Sequence, residues 1–212
     1  MPANRHEPSR FRRCPRSSIV TSKCVPPPEV ETGVVLLAAG QAKRFGGGKL
    51  TATFRRQPLW EWAAQTAENI DFSERLMVIG PNSPINSRPG WRLVKNPVAE
   101  RGMGTSIAVG VRALTDCDRV VILLADMPLV SRTHLCRFLK ARGVAFTRYP
   151  DGTAGCPAIF PRPVFPLLET LAGDRGARSL DLGDAELIEP SHEGELVDVD
   201  ELCDLQRLRS AD

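Results

Sequence analysis

The chain has 212 residues, 42% of them hydrophobic and 25% charged, a balance that suits one globular domain with a real core. The net charge of +3 is uneven: residues 1–28 hold six Arg and Lys against Glu7 alone, so the remainder is slightly acidic, which argues against a broad nucleic-acid-binding face. No apolar run approaches the roughly 20 residues of a membrane helix, and the N-terminal stretch lacks the apolar segment of a secretory signal.

Residues 1–31, rich in Arg, Pro and Ser and containing the three prolines at 26–28, read as a disordered basic extension. Residues 32–212 read as the folded domain. "GVVLLAAG" (33–40) is an apolar run of strand length closed by glycine, the pattern of a strand covered on both faces. "PLWEWAAQTAENI" (58–70) predicts a helix entered through Pro58, with Trp60 and Trp62 as packing residues. "RLMVIGP" (75–81) predicts a second buried strand, and "WRLVKN" (91–96) a short third one. "GTSIAVGVRAL" (104–114) predicts a helix, "DRVVILLADMP" (118–128) another strong strand, and Ser131 caps a helix running to about Arg142. "VAFTRYPDGTAGCPAIFP" (144–161) predicts a hairpin turning at Asp151-Gly152. Helices at about 162–172 and 175–182 follow, then a short strand and a closing helix in "ELVDVDELCDLQRL" (195–208). Alternating strands and helices imply an α/β fold: a three-layer α/β/α sandwich around a mostly parallel, Rossmann-like sheet.

The six cysteines form no CxxC pair and no Cys/His cluster. Neither a disulfide scaffold nor a structural zinc site is expected, and reduced thiols in a cytoplasmic protein are the reading.

The first strand runs into "LLAAGQAKRFGGGKL" (36–50). A strand that ends in glycine and turns into a loop places free backbone N–H groups at the carboxyl edge of the sheet, where α/β folds bind phosphates. The dinucleotide fingerprint GxGxxG is absent. A Walker A loop fails at both ends, because Lys43 and Leu50 stand where it needs Gly and Ser or Thr.

What remains is L-A-A-G-x-x-x-R-F-G-x-x-K, matched at Leu37, Ala38, Ala39, Gly40, Arg44, Phe45, Gly46 and Lys49. It resembles the signature loop of the molybdenum cofactor cytidylyltransferases and their MobA-like NTP transferase relatives, which have a GT-A-type nucleotidyltransferase fold. The resemblance extends over about residues 33–208. "NPVAERGMGTSI" (96–107) is similar to the segment holding base and ribose, and "LLADMP" (123–128) to the strand end whose aspartate binds magnesium. "GCPAIFPR" (155–162) and "GDRGARSL" (173–180) resemble acceptor-side elements. "VDVDELCDL" (197–205) resembles a D-x-D-T-P-E-D-L motif and departs from it in "ELCDL".

The resemblance implies transfer of CMP from CTP to molybdopterin or molybdenum cofactor, with Mg²⁺, and a partner in a molybdenum hydroxylase or its chaperone. It implies nucleotide contacts from Leu37, Ala38, Ala39, Gly40, Arg44, Lys49, Asn96, Gly102, Ser106 and Asp126. Acceptor contacts would come from Gly155, Pro157, Gly173, Asp174 and Gly176. Lys49, Arg44 and Asp126 would carry catalysis, and the metal ligands would be Asp126 and either Asp198 or Asp200, with Asp198 favoured. Within the family an L-A-A-G loop looks like the cytidylyl branch and L-A-G-G like the guanylyl branch, so Ala39 points to CTP. Transfer to a sugar or polyol phosphate, use of GTP, and a non-enzymatic role in cofactor delivery stay open. An oxidoreductase is disfavoured, since the sequence shows no dinucleotide or redox-metal signature.

These residue types suit the chemistry. Attack of a phosphate oxygen on an α-phosphorus builds negative charge on oxygens, so catalysis is positioning plus cation supply. Lys supplies a point charge and Arg a two-pronged donor. Magnesium needs only one or two carboxylates beside its waters.

Overall fold

The computed structural model describes residues 30–42 and 44–210; the extension read at 1–31 falls almost wholly outside them. In chain order the elements are β1 (Thr32–Ala38), the short strands β2 (Thr53–Phe54) and β3 (Gln57–Pro58), α1 (Leu59–Glu68), β4 (Glu74–Ile79), β5 (Arg92–Lys95) and α2 (Met103–Ala113). They continue with β6 (Arg119–Leu124), α3 (Arg132–Phe138), β7 (Ala145–Arg148), β8 (Ala154–Pro161), α4 (Phe165–Leu168), β9 (Glu186–Ile188) and α5 (Leu202–Ser210).

Every residue of β1 is buried, as its unbroken apolar run requires. Its alternate side chains enter two different cores. Val34, Leu36 and Ala38 pack with Ala63, Ala64 and Ala67 of α1 and Leu135 and Phe138 of α3. Val35 and Leu37 pack on the other face with Ile107 and Val111 of α2 and Phe165 and Leu168 of α4. The sheet therefore lies between two helical layers. Its strand order is β5-β4-β1-β6-β8-β7-β9. The pairs β1/β4, β1/β6, β4/β5 and β7/β9 are parallel, and β8 runs antiparallel to both β6 and β7. A third small core (Phe54, Leu59, Val199, Leu205 and Leu208, with Phe45 and Val197 against it) joins α5 to the β2–β3 hairpin.

The strands predicted up to residue 161 and the first three helices are present within a few residues. Ser131 caps α3, its side chain accepting from the His134 N–H. Trp60 and Trp62 pack into the first and third cores, and Arg55-Arg56 forms the turn between β2 and β3. The C-terminal third differs. Of the helices expected at 162–172 and 175–182, only α4 forms, with 3-10 turns at Arg162–Val164 and Ala177–Ser179. The cause is a competing contact. The Gly104 N–H donates to Gly173 O (2.9 Å), so the backbone around Gly173 docks on the start of α2 instead of coiling. The strand expected near 195–199 is absent. The Val199 N–H donates to Asp126 O (3.1 Å), which pins the segment beside the end of β6, and β9 forms the sheet edge beyond β7. Cys117, Cys156 and Cys203 are free thiols, whereas Cys136 is disulfide-bonded, a departure from wholly reduced thiols.

Candidate active site

Parallel register decides which loops meet. Leu37 of β1 pairs with Val78 of β4 and Leu124 of β6, so these strands end at one level. The segments that leave them, starting at Ala39, Gly80 and Ala125, therefore emerge side by side at the carboxyl edge. β8 runs the other way, so its first residues, Ala154 to Cys156, reach the same edge. Here lie two adjoining clefts. The larger, about 520 Å³, is lined by Leu37, Ala39, Gly40, Arg44, Lys49, Gly102, Met103, Ser106, Asp126, Asp174, Asp198 and Asp200, among others. The second, about 410 Å³, shares Ala39, Gly40 and Lys49 and adds the β4–β5 loop at residues 80–85.

The signature loop takes its shape from glycine. Gly46, Gly47 and Gly48 have φ of 84°, 97° and 66°, three consecutive left-handed residues that side chains would oppose. This tight path brings Lys49 inward. Its side chain is only 7% exposed, and Nζ lies 2.6 Å from Asp126 Oδ2 and 3.2 Å from Asp200 Oδ1. Arg44, 74% exposed, donates from NH1 to Asp200 Oδ2 at 3.2 Å. Burial by itself would lower the Lys49 pKa, but Asp126, Asp198 and Asp200 outweigh it and the net shift is upward. The lysine is held firmly cationic.

Asp126, Asp198 and Asp200 each place a carboxylate oxygen within 4.8 Å of the others. Asp198 is accessible from the cleft, yet the surrounding protein displaces much of its water. That desolvation, with the Asp126 carboxylate beside it, pushes Asp198 up to about 7. Three carboxylates against Lys49 and the exposed Arg44 are short of positive charge, and their hard oxygen donors fit a magnesium-like dication.

The other expected residues divide. Leu37, Ala38, Ala39, Gly40, Gly102, Ser106 and Asp174 line the clefts. Asn96 does not: it is fully buried, and its amide donates to the hydroxyls of Thr105 and Ser106, both at 2.9 Å. It braces the start of α2. Gly173 and Gly176 also lie outside the lining. A Cβ on Gly102 would sit 2.4 Å from the Gly173 carbonyl, so this contact requires glycine. Gly155 and Pro157 are held from behind. A Cβ on Gly155 would meet the Tyr149 ring at 2.6 Å, the Thr147 hydroxyl donates to Pro157 O (2.8 Å), and the Tyr149 hydroxyl donates to Cys156 O (3.0 Å). Desolvation, Asp126 and Asp198 push the Cys156 thiol up to about 12, so it stays protonated at neutral pH. The sequence reading missed the wall at 80–85. Its signal was the Gly-Pro pair ending the second predicted strand, a strand end at the binding edge of the sheet.

Residues 34–187 match the model of the MobA-like NTP transferase domain. The chain belongs to this family of nucleotidyltransferases. Among curated proteins, this MobA-like chain is 31% identical over 184 residues to the purine catabolism protein PucB of Bacillus subtilis, covering 78% of this chain and 90% of that one. It is also 31% identical over 160 residues to nicotine blue oxidoreductase of Paenarthrobacter nicotinovorans, covering 68% and 78%. Among solved structures, Rv0371c of Mycobacterium tuberculosis in complex with manganese superposes with a TM-score of 0.68. That match is at 23% identity and covers 86% of this chain and all of that one, a likeness of fold. No helix among the described residues is long and apolar enough to cross a membrane.

Proposed function

We propose that the MobA-like chain transfers CMP from CTP to molybdopterin or molybdenum cofactor, releasing pyrophosphate, in support of a molybdenum hydroxylase or its chaperone. The observation that carries the reading is the meeting of Lys49, Arg44, Asp126, Asp198 and Asp200 at one sheet edge, although Arg44 and Asp200 are 156 residues apart. Two cations beside three carboxylates fit a phosphate chain and a dication together. The manganese in the related structure is in keeping with a metal of this class. The oxidoreductase activity in one relative's name draws no support from these side chains, none of which is a redox group.

Asp126 and Asp198 would hold the Mg²⁺, which supplies positive charge to phosphate oxygens. Lys49 is already desolvated, so its charge acts on an α-phosphate with little intervening water. Arg44 sits at the mouth and can turn from Asp200 to the departing pyrophosphate, offering two parallel N–H donors. Gly40 lines the same cleft, and a glycine after a strand leaves room for anionic oxygens to approach the backbone. An oxygen of the acceptor phosphate bonds to the α-phosphorus as the bond to the pyrophosphate oxygen breaks. Ala39 narrows the cleft by one methyl relative to glycine, which supports a pyrimidine.

The test is pyrophosphate release with Mg²⁺, molybdopterin or molybdenum cofactor, and each nucleoside triphosphate in turn. CTP is expected to be fastest. Lys49→Ala and Asp126→Asn should each lower turnover about a hundredfold, on the order of 3 kcal/mol of transition-state stabilisation. Absence of release with every triphosphate would refute transfer, and a faster rate with GTP would refute the Ala39 argument.

A further inference from the structure

The wall of the smaller cleft is an irregular loop. Gly80, Pro81, Asn82, Ser83, Pro84 and Ile85 line it, yet residues 80–91 contain no helix or strand. Ordering such a segment costs roughly 1–2 kcal/mol of backbone entropy per residue, so it must be fastened from outside.

Arg88 does the fastening. Its Nε and NH2 donate to the two carboxylate oxygens of Glu68 at 2.6 and 3.0 Å, a two-pronged pair. NH1 lies 3.6 Å from Glu61 Oε2, and the guanidinium sits 5.2 Å from the centre of the Trp60 ring. Trp91 donates from Nε1 to the same Glu68 at 2.8 Å. Trp60, Glu61 and Glu68 all belong to α1, which is itself seated on β1 through Ala63, Ala64 and Ala67. Arg88 is 14% exposed, so its charge depends on these partners. Between it and β4, Ile85 is buried in the same core. Arg88 neither lines the clefts nor touches the acidic cluster.

We propose that Arg88 is a positioning residue that holds the cleft wall at 80–85 in one conformation for the base and ribose of a bound nucleoside triphosphate. The proposal rests on the reading above that the cleft takes such a nucleotide: the charged lobe suits phosphates, which leaves the less charged lobe beside residues 80–85 for the rest. With the clamp broken, the wall would sample several conformations. Affinity then falls by the fraction that remains competent. Chemistry at Lys49 and Asp126 is untouched once the nucleotide is bound.

The experiment compares wild type with Arg88→Met, which keeps the stem over Trp60 and removes the charge, and with Arg88→Lys and Glu68→Gln. Titration of Mg·CTP, or of whichever triphosphate wild type binds tightest, should show Kd raised about tenfold in Arg88→Met, with kcat at saturation within about twofold. Arg88→Lys should recover part of the affinity, and Glu68→Gln should weaken binding in the same direction. Deuterium uptake should rise across 80–87 while α1 stays protected. A lowered melting temperature with unchanged Kd would overturn the proposal and leave Arg88 a purely structural residue, as would a loss in kcat with Kd unchanged. Wild-type protein that binds CTP without releasing pyrophosphate would sink transfer, while a raised Kd in Arg88→Met would still support the clamp. Wild-type protein that binds no triphosphate would overturn both.

Discussion

At the scale of single residues, the site is governed by a shortage of positive charge. Lys49 is shared between Asp126 and Asp200, and it does not offset the desolvation and the neighbouring Asp126 carboxylate that raise Asp198. Its folded pKa of about 7 lies above the ordinary 3.8. A carboxyl raised in the folded state adds stability while both states are protonated and loses that contribution as pH rises through the folded value. Metal-free protein should therefore melt at progressively lower temperature from about pH 4 to above pH 7. Asp198→Asn should flatten that decline, and a dication should restore more stability at pH 8 than at pH 5.5. Melting curves with chelator and with Mg²⁺ would check this. An unchanged slope in Asp198→Asn would mean that the charge crowding lies elsewhere. Asp200, by contrast, is engaged by both Lys49 and Arg44, so in the metal site proposed above Asp198 is the freer of the two to join Asp126.

At the scale of elements, α2 must approach the sheet closely for its first turn to reach the cleft. Gly110 permits this approach: a Cβ there would lie 2.5 Å from Val35 Cγ1 and 2.9 Å from Val78 Cγ2. In a solvent-facing helix, alanine for glycine would gain roughly 0.5–1 kcal/mol. Here overpacking should win, and Gly110→Ala should destabilise the fold by about 1–3 kcal/mol. By tilting α2 away, it should also displace Gly102 and Ser106 and weaken nucleotide binding. Denaturant unfolding and a nucleotide titration would measure the two effects, and a stabilised protein would refute the packing argument. The same close approach explains the missing helix at 175–182. The backbone at 172–175, which leads into that segment, is held against Gly102 and Gly104, and local propensity loses to it.

At the scale of the whole molecule, α5 and the third core tie distant segments of the candidate site together. Phe45 follows Arg44, Phe54 belongs to the hairpin after Lys49, and Val197 and Val199 flank Asp198; all pack with Leu205 and Leu208. Leu205 is 1% exposed. Leu205→Ala should cost about 2–5 kcal/mol and should also weaken Mg²⁺ binding, because the carboxylates of 198–200 and the cations of the signature loop share this support. Leu202, 52% exposed, is the control. Its alanine variant should stay within about 0.5 kcal/mol of wild type. Unfolding curves and metal titrations compare the pair, and equal effects at both positions would refute the coupling.

Much of this was legible in the sequence. Continuous apolar runs specify strands buried on both faces, since only a covered sheet can take them, and their alternation with helical periods specifies the α/β layering. The signature loop is local, so the spacing of Gly40, Arg44, Gly46 and Lys49 is read directly, and glycines 46–48 are explained by the left-handed path they take. The place of Asp126 at the cleft was legible because a strand end is a local signal. The tertiary structure alone decided what depends on contact between distant segments. Asn96 looks like a ligand in its motif, yet burial turns it into a brace. Gly173 looks like an acceptor contact, yet it is a docking point for α2. The wall at 80–85 and its Arg88 clamp carry no spacing pattern, because an irregular loop is shaped by what it is fastened to. Strand order, register and the meeting of residues 44, 49, 126, 198 and 200 arise from parallel pairing across the sheet, which no local stretch of sequence encodes.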